Sequence, residues 1–166
     1  MSESKRHARR IAIIPTYAPP MTTQSPTHTT EIRVRYAECD PMNVAHHASY
    51  LPWLEIGRTE MLRAQGGSYE QMERDGFFLV ITRCEVKYRR PIRYDDVLDI
   101  RTTLDSASKI KLRHTYEVVL KERRAQAPDP ADPSVPNDFV CAIATTELAC
   151  VDRNGKPTPL PEFLTG

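Results

Sequence analysis

The chain has 166 residues, a formal net charge of +1 and a hydrophobic share of 40%, values that suit one soluble globular domain with tails. The near-neutral charge argues against nucleic acid or an anionic membrane surface as the main partner, and no apolar run approaches the roughly 18–20 residues that cross a bilayer. The four cysteines show no metal-ligand spacing. In the absence of a secretory signal, we expect reduced thiols in a cytoplasmic protein.

The first residues carry a basic cluster that is followed by only four apolar residues, 11–14, before Pro15. This apolar stretch is too short for the core of a signal peptide. The following residues, up to Thr30, are mostly Pro, Thr and Ser and predict no regular structure. We therefore expect a flexible arm over residues 1–28 and one folded domain over residues 29–166.

Four segments predict β-strands because apolar and polar residues alternate along them, and a fifth segment joins them for its content of strand-forming residues. They span residues 31–38, 78–89, 97–104, 109–121 and 139–151. The last segment is less regular but rich in residues that favour strands. Such alternation is typical of an antiparallel sheet with one solvated and one covered face. The prolines of residues 125–138 predict a long exposed loop before the last strand.

One long helix is predicted between the first two strands, where apolar residues follow helical spacing. Pro52 indicates that this helix begins near Ala48 or Ser49, because the first turn tolerates a residue without a backbone N–H. Gly66 is a suitable stop. A shorter helix is expected over residues 68–74. The order of elements predicts an α+β fold with one helix packed on one sheet.

The segment between the first strand and the helix is dense in reactive side chains, namely Glu38, Cys39, Asp40, His46 and His47. A strand-to-helix junction directs backbone N–H groups and the positive end of the helix dipole at whatever lies in front of the helix. A carboxylate a few residues upstream can fold back over that position. A developing oxyanion would then find backbone donors on one side and a base or nucleophile on the other.

The junction carries the pattern R-x-R-Y-x-E-x-D-x-x-x-V-x-H-H-A-S-Y-L-x-x-L-E-x-x-R-T-E-M-L over residues 33–62. This pattern resembles the bacterial 4-hydroxybenzoyl-CoA thioesterase family, and within it the acyl-CoA thioesterases encoded beside the Tol–Pal genes. The likeness continues through K-Y-R-R-P-I-R-Y-D-D at residues 87–96 and through Leu160-Pro161. It implies the hotdog fold, in which a five-stranded antiparallel sheet wraps one long central helix. It also implies a homodimer or homotetramer with a thioester-hydrolysing site at the subunit interface.

The resemblance extends to the residues of that site. It makes Asp40 the catalytic carboxylate and gives it Tyr36 and His47 as companions. It also implies that the backbone amide of His47 or Ala48 polarises the thioester carbonyl.

Five further residues are candidate substrate contacts. In the family, a carboxylate at the position of Glu55 can face the acyl pocket. His46 stands where this branch usually has tyrosine, and Asn43 stands where it usually has glycine, a mild exchange because asparagine tolerates left-handed conformations. Lys109 and Lys111 form a basic stripe with two open interpretations, a solvated face or a contact with the phosphates of CoA.

The same residues suggest other chemistry, which is less favoured. Adjacent histidines rarely point at one ion, so we predict no metal ion, and nothing calls for another cofactor. Neighbouring carboxylates raise the pKa of a thiol, which disfavours Cys39 as a nucleophile. Tyr36, taken alone, is most simply a core residue, because it continues the face of Ile32 and Val34 in the first predicted strand.

We therefore predict an acyl-CoA thioesterase that uses Asp40 as a general base on water or as a nucleophile, two routes that need the same carboxylate. A non-catalytic acyl-CoA sensor of the same fold and an acyl-acyl carrier protein thioesterase remain open. Hydratase chemistry would need a different histidine–acid motif, which the sequence lacks. The expected partners are acyl-CoA and further copies of the chain, with neither nucleic acid nor a membrane span.

Overall fold

The computed structural model describes residues 26–123 and 139–164. We number its strands and helices in chain order. They are β1 (Thr27–Arg33), α1 (Tyr50–Ala64), α2 (Tyr69–Arg74), β2 (Phe78–Tyr88), β3 (Val97–Ala107), β4 (Lys111–Glu122) and β5 (Val140–Val151). Short 3₁₀ turns cover Tyr36–Glu38, His47–Ser49 and Glu162–Leu164. Residues 1–25 of the expected arm and the expected loop at residues 125–138 lie outside the described residues.

The described strands form one antiparallel sheet in the order β1-β3-β4-β5-β2. The long helix α1 packs on one face of this sheet. The predicted alternation holds in β3 and β4, where Leu98, Ile100, Tyr116 and Val118 are all buried. This arrangement confirms the predicted α+β fold with one long helix on a five-stranded antiparallel sheet.

The core divides into two clusters along α1. One cluster lies under the start of the helix, where Trp53 and Leu54 pack with residues of the sheet such as Ile100. The other lies under the end of the helix and contains Met61 and Leu62. Fully burying one such side chain is worth about 1.5–3 kcal/mol. The first cluster therefore fixes the helix start, where the sequence predicts the reactive site.

The start of α1 agrees closely with the prediction. The 3₁₀ turn at His47–Ser49 leads into the helix, so that α1 itself begins at Tyr50. Pro52 is the third residue of α1 and lies in the first turn, as predicted. The shorter helix α2 is also confirmed, and the Ser68 side chain caps it by accepting a hydrogen bond from the Gln71 amide at 3.3 Å.

The first strand was predicted wrongly at both ends. β1 begins at residue 27, inside the expected arm, and it ends at Arg33 instead of reaching Glu38. The chain leaves the sheet after Val34. The Glu38 carboxylate then accepts a hydrogen bond from the Arg35 amide at 2.7 Å, which closes the 3₁₀ turn. This turn removes from the sheet the residues that the alternation assigned to it.

The strand β2 is far more exposed than its alternation predicts. Val80, Ile81 and Tyr88 are 43%, 47% and 50% exposed. The reason is that β2 lies at the edge of the sheet and pairs with β5 alone among the described strands. An apolar edge of this kind is open to pairing with another strand.

The helix α1 approaches β3 closely at Gly57. A Cβ atom at this position would lie 2.5 Å from Thr102 Oγ1 and 2.9 Å from Ile100 Cγ2. We expect Gly57→Ala to lower the free energy of unfolding by about 1–2 kcal/mol, because overpacking costs more than the gain in helix propensity. Urea unfolding followed by circular dichroism measures the change, with Arg63→Ala on the exposed face of α1 as the control. A Gly57→Ala protein as stable as wild type would contradict the close packing.

Candidate active site

A pocket of about 410 Å³ lies between the start of α1 and the chain that follows β2. Its volume is within the usual range for small-molecule sites. The lining residues are Asp40, Val44, Ala45, His47, Tyr50, Tyr88, Arg89, Arg90, Pro91 and Ile92. Two of the predicted site residues, Asp40 and His47, therefore line the same pocket.

Asp40 is held by a tight turn. Its Oδ1 atom accepts a hydrogen bond from the Met42 amide at 2.8 Å, and its C=O accepts one from the Asn43 amide at 2.9 Å. The Asp40 amide donates to the C=O of Val44 at 2.9 Å. Asn43 has φ of 60°, the left-handed conformation that asparagine was expected to tolerate. The turn leaves Asp40 half-buried, with its Oδ2 atom free of any hydrogen bond within the described ranges.

Glu38 organises the junction between this turn and the helix. Its buried carboxylate accepts hydrogen bonds from the Arg35 amide and Arg35 Nη2, both at 2.7 Å, and from Trp53 Nε1 at 2.9 Å. Its C=O accepts from the His46 amide at 2.8 Å and from Ser49 Oγ at 2.9 Å. Burial by itself raises the pKa of the Glu38 carboxyl, but the hydrogen bonds from Arg35 and Trp53 outweigh it and lower the pKa. The sequence had marked Glu38 as reactive without giving it this role.

The two predicted oxyanion donors differ in their availability. The Ala48 amide donates to His46 Nδ1 at 3.2 Å, so the His46 side chain caps the helix start. None of the hydrogen bonds in the described parts of the chain uses the His47 amide. The C=O of His47 accepts a hydrogen bond from the Tyr88 hydroxyl at 3.3 Å. The His47 amide is therefore the one of the two that is available to a ligand.

Residues 89–92 form the opposite wall, and backbone hydrogen bonds fix them. The amides of Arg89 and Arg90 both donate to the C=O of Cys141, at 2.8 and 3.0 Å, while the Ala45 amide donates to the C=O of Ile92 at 2.7 Å. The wall is thus tied both to β5 and to the segment that carries Asp40. The sequence gave the two arginines no role, although they stand at the end of the strand predicted over residues 78–89.

A buried ion pair supports the same wall. The Asp96 carboxylate accepts hydrogen bonds from Arg123 Nη2 and from the Arg93 amide, both at 2.8 Å. Arg123 Nη2 also donates to the C=O of Pro91 at 2.9 Å. Asp96 is only 1% exposed, so removing either partner would leave an uncompensated buried charge.

Tyr36 does not lie where the sequence placed it. It is 81% exposed, so the prediction of a core residue is wrong, because the chain has already left β1. Its ring meets that of Tyr94 edge to face, with centroids 5.8 Å apart. Tyr36, His46 and Asn43 are all absent from the residues that line the Asp40 pocket. Any part that these three play in catalysis or substrate contact stays a prediction.

The other candidate contacts lie away from Asp40 within one chain. Glu55 pairs with the buried Arg58 at 3.0 Å and lines a separate groove between α1 and β2. Lys111 begins β4 and is paired with Ala149 near the end of β5, and Lys109 precedes it. The Asp40 pocket adjoins the start of β5. The basic stripe and the pocket therefore lie at opposite ends of the sheet.

The alternative chemistries gain no support from the site. Burial raises the pKa of the Cys39 thiol, and the nearby carboxylates of Glu38, Asp40 and Asp96 raise it further, which keeps the thiol protonated. No group of three His, Cys, Asp or Glu side chains in residues 26–123 and 139–164 is arranged to hold a metal ion.

Within the same residues, no helix has the length and apolarity that crossing a membrane requires.

Known proteins resemble this chain over most of its length. Residues 34–166 match the model of the thioesterase-like superfamily. A putative acyl-CoA thioesterase, YneP, of Bacillus subtilis (strain 168) is 33% identical over 88 residues, which are 53% of this chain and just under two thirds (64%) of the Bacillus protein. A putative esterase of Aquifex aeolicus (strain VF5) is 29% identical over 130 residues, 78% of this chain and 88% of that protein.

Solved structures agree with this likeness. A DHNA-CoA thioesterase from Staphylococcus aureus superposes with a TM-score of 0.69 at 27% identity, over 81% of this chain and 80% of that one. A protein from Aquifex aeolicus superposes with a TM-score of 0.68 at 26% identity, over 82% of this chain and 95% of that one. The family match at residues 34–166 includes the strands β2 to β5, the helix α1 and the Asp40 pocket, and the chain belongs to the thioesterase-like superfamily, with the hotdog fold.

Proposed function

We propose that this protein hydrolyses the thioester of an acyl-CoA to the free acid and CoA. The observation that carries the proposal is that Asp40 and His47 line one pocket, while the Asp40 Oδ2 atom and the His47 amide take part in none of the hydrogen bonds of the described residues. A thioester bound between them would present its carbonyl oxygen to a backbone donor and its carbonyl carbon to the carboxylate side. The names of two relatives support the same activity. YneP is a putative acyl-CoA thioesterase, and YbgC of Escherichia coli O6:H1, 35% identical over 91 residues (55% of this chain and 68% of that protein), is an acyl-CoA thioester hydrolase.

Two routes are compatible with this geometry. In the first, Asp40 takes a proton from water, the resulting hydroxide adds to the carbonyl carbon, and the C–S bond then breaks to release the CoA thiolate. In the second, a carboxylate oxygen of Asp40 attacks the carbonyl carbon, CoA leaves, and water hydrolyses the mixed anhydride. Both routes place negative charge on the carbonyl oxygen, where a backbone N–H stabilises it.

A panel of acyl-CoAs of varied chain length and aromaticity, assayed for release of free thiol, tests the proposal directly. At least one acyl group should be turned over with one thiol released per free acid formed. The same acyl groups on an acyl carrier protein test the rival carrier. Tight binding of acyl-CoA without release of thiol across the whole panel would favour the sensor instead.

His47→Ala distinguishes the backbone of His47 from its side chain. Because the amide at position 47 survives the substitution, we expect kcat to fall by no more than about tenfold. Thiol release under saturating substrate measures the effect. A loss as deep as that caused by removing the Asp40 carboxylate would contradict a backbone oxyanion donor and would bring the imidazole into the reaction as an acid.

We also propose that two copies of the chain pair edge to edge through β2. The exposed residues Val80, Ile81 and Tyr88 lie on this strand. Leu51 of α1 is likewise 50% exposed, and it lines with Ile81 and Cys84 a groove of about 320 Å³. Pairing β2 with its counterpart would satisfy the edge hydrogen-bonding groups and cover the groove.

The oligomeric state tests this pairing. Light scattering of the wild-type protein at micromolar concentration should give a dimer or a tetramer. Ile81→Glu places a charge in the proposed interface and should yield a smaller species, whereas Phe163→Glu, at an exposed apolar residue outside β2, should not. A wild-type monomer that is stable and active would contradict the proposal.

A further inference from the structure

Arg58 is a buried cation of α1, only 8% exposed, and nothing in the proposed chemistry at the carbonyl uses it. We infer that Arg58 binds a carboxylate at the far end of the acyl group, so that the favoured substrates are CoA monothioesters of medium-chain dicarboxylic acids. The inference rests on the proposed function, because it concerns the acyl group that the same site would release. It makes Arg58 a residue that determines specificity.

The guanidinium of Arg58 is incompletely partnered for a buried group. Its Nη2 atom donates to Glu55 Oε2 at 3.0 Å, whereas its Nε atom is buried and has no hydrogen-bond partner among the described residues. A buried donor without an acceptor costs stability. The Glu55 side chain, moreover, is 68% exposed, so it is a weakly held counter-ion. A ligand carboxylate in its place could accept two parallel hydrogen bonds, from Nε and from Nη2.

The side chains on the sheet side of Arg58 supply no negative charge. His114 and Tyr116 of β4 are both buried, and His114 lines with Arg58 a small internal cavity. Burial, together with the nearby Arg58 cation, lowers the pKa of His114 to about 4, and burial raises the pKa of Tyr116 to about 12. Both groups are therefore neutral at pH 7. The charge of Arg58 is thus open to compensation from the other side, where Glu55 lies.

On that side, Arg58 and Glu55 line the groove of about 320 Å³ between α1 and β2. The Asp40 pocket also lies at the start of α1 and the end of β2, so pocket and groove follow one another along the same two elements. Apolar side chains such as Leu51 and Ile81 form other walls of the groove, and Arg58 is the one cation among the described residues that line it. Such walls suit a hydrocarbon chain that ends in an anion.

The position of Arg58 along the helix sets the length of that chain. From the His47 amide to Glu55 is eight residues, about 12 Å at roughly 1.5 Å per residue. The head group of Arg58 lies at the level of Glu55, because helical side chains lean toward the N-terminus of the helix and these two are ion-paired. A succinyl group bound at His47 would end well short of Arg58, whereas a suberoyl group would approach it.

Matched pairs of substrates test the inference on the wild-type protein. The CoA thioester of each dicarboxylic acid is compared with that of the fatty acid of equal length, suberoyl with octanoyl and succinyl with butanoyl. We expect kcat/KM to favour suberoyl-CoA over octanoyl-CoA by at least about tenfold, with no such preference for succinyl-CoA. Without a cation the apolar groove would reject the carboxylate, so a preference for octanoyl-CoA would overturn the inference. An equal preference at both lengths would do so too, because it would place the recognised charge elsewhere.

Substitutions in the ion pair should have opposite effects on this preference. Arg58→Met removes the cation and should abolish the preference for suberoyl-CoA, while Arg58→Lys, which keeps the charge without the planar fork, should retain part of it. Glu55→Gln removes the competing carboxylate and should increase the preference about threefold or more. A preference that persists in Arg58→Met, or that falls in Glu55→Gln, would contradict the inference. Thermal unfolding checks that each variant is folded.

The chain offers a matched control pair on the same helix. Glu60 and Arg63 form an ion pair with the same spacing, and neither lines the groove. Glu60→Gln and Arg63→Met should leave the ratio of suberoyl-CoA to octanoyl-CoA turnover within about twofold of wild type. A shift in these controls as large as in the variants of Glu55 and Arg58 would mean that the ratio reports helix stability and not recognition.

Binding separates this inference from the proposed function. Calorimetry uses thioether analogues of suberoyl-CoA and octanoyl-CoA, which cannot be hydrolysed. Tighter binding of the carboxylated analogue that depends on Arg58, without thiol release from any thioester, would sustain the inference and contradict the hydrolase. Thiol release from both thioesters without any preference in binding or turnover would sustain the hydrolase and overturn the inference.

Discussion

Asp40→Asn is expected to lower kcat for thioester hydrolysis by at least about 10³-fold without unfolding the protein. The amide is nearly the same size as the carboxylate, but it is neither a base nor a useful nucleophile. Its Oδ1 atom can still accept the hydrogen bond from the Met42 amide, so the turn should persist. Thiol release at saturating acyl-CoA measures kcat, and thermal unfolding checks the fold.

The chain provides a matched control for this substitution. Asp152 forms a turn of the same kind, with Oδ1 accepting from the Asn154 amide at 2.8 Å and its C=O accepting from the Gly155 amide at 3.0 Å. That turn follows β5 at the end of the sheet away from the pocket. Asp152→Asn should leave kcat within about twofold of wild type. Near-wild-type turnover by a clean Asp40→Asn preparation would remove Asp40 from the mechanism.

Much of the fold was predictable because its elements bury one face. Alternation with a period of two locates β2, β3 and β4 to within about three residues, and the strand-forming residues of 139–151 locate β5. Pro52 locates the first turn of α1. The predicted end of the first strand was wrong because of contacts made by Glu38. Tyr36 continues the alternation of Val34, but the bonds from Arg35 and Trp53 to Glu38 turn the chain out of the sheet. Hydrogen bonds to one side chain, from a nearby backbone amide and from a residue of the helix, leave no periodic trace in the sequence.

The candidate site was predictable only in the part that is contiguous in the chain. Asp40 and His47 are seven residues apart and were recognised by their motif. Arg89 and Arg90 reach the same pocket because β2 ends beside the helix start, which depends on sheet topology and not on local pattern. Topology likewise separates the pocket from Lys111. The oligomeric state and the cytoplasmic location stay predictions, because neither depends on contacts within one chain.

Glu38→Gln is expected to lower the free energy of unfolding by about 2–4 kcal/mol. Changing one partner of a buried charge-assisted hydrogen bond costs more stability than changing one partner of an exposed bond. The side chain of glutamine has only one oxygen, which can accept a hydrogen bond from Trp53 or from Arg35 but not from both sides. Its NH₂ group would then face the remaining N–H donor, and neither group could accept. Urea unfolding followed by circular dichroism and by the fluorescence of Trp53, the one tryptophan of the chain, measures the loss. Glu60→Gln, which removes a surface ion pair with Arg63 on α1, should cost no more than about 0.5 kcal/mol.

The pH dependence of the free energy of unfolding tests independently whether the charged Glu38 carboxylate stabilises the fold. Because the folded pKa of this carboxyl lies below its ordinary value of 4.5, the unfolded chain binds the proton first as the pH falls. The stabilisation by Glu38 is therefore complete above the ordinary value and disappears as the pH falls through the folded pKa. The difference in unfolding free energy between wild type and Glu38→Gln should accordingly be constant near pH 7 and shrink below about pH 4.5. A difference that stays constant down to pH 3 would mean that the carboxylate charge does not hold the turn and the helix start together.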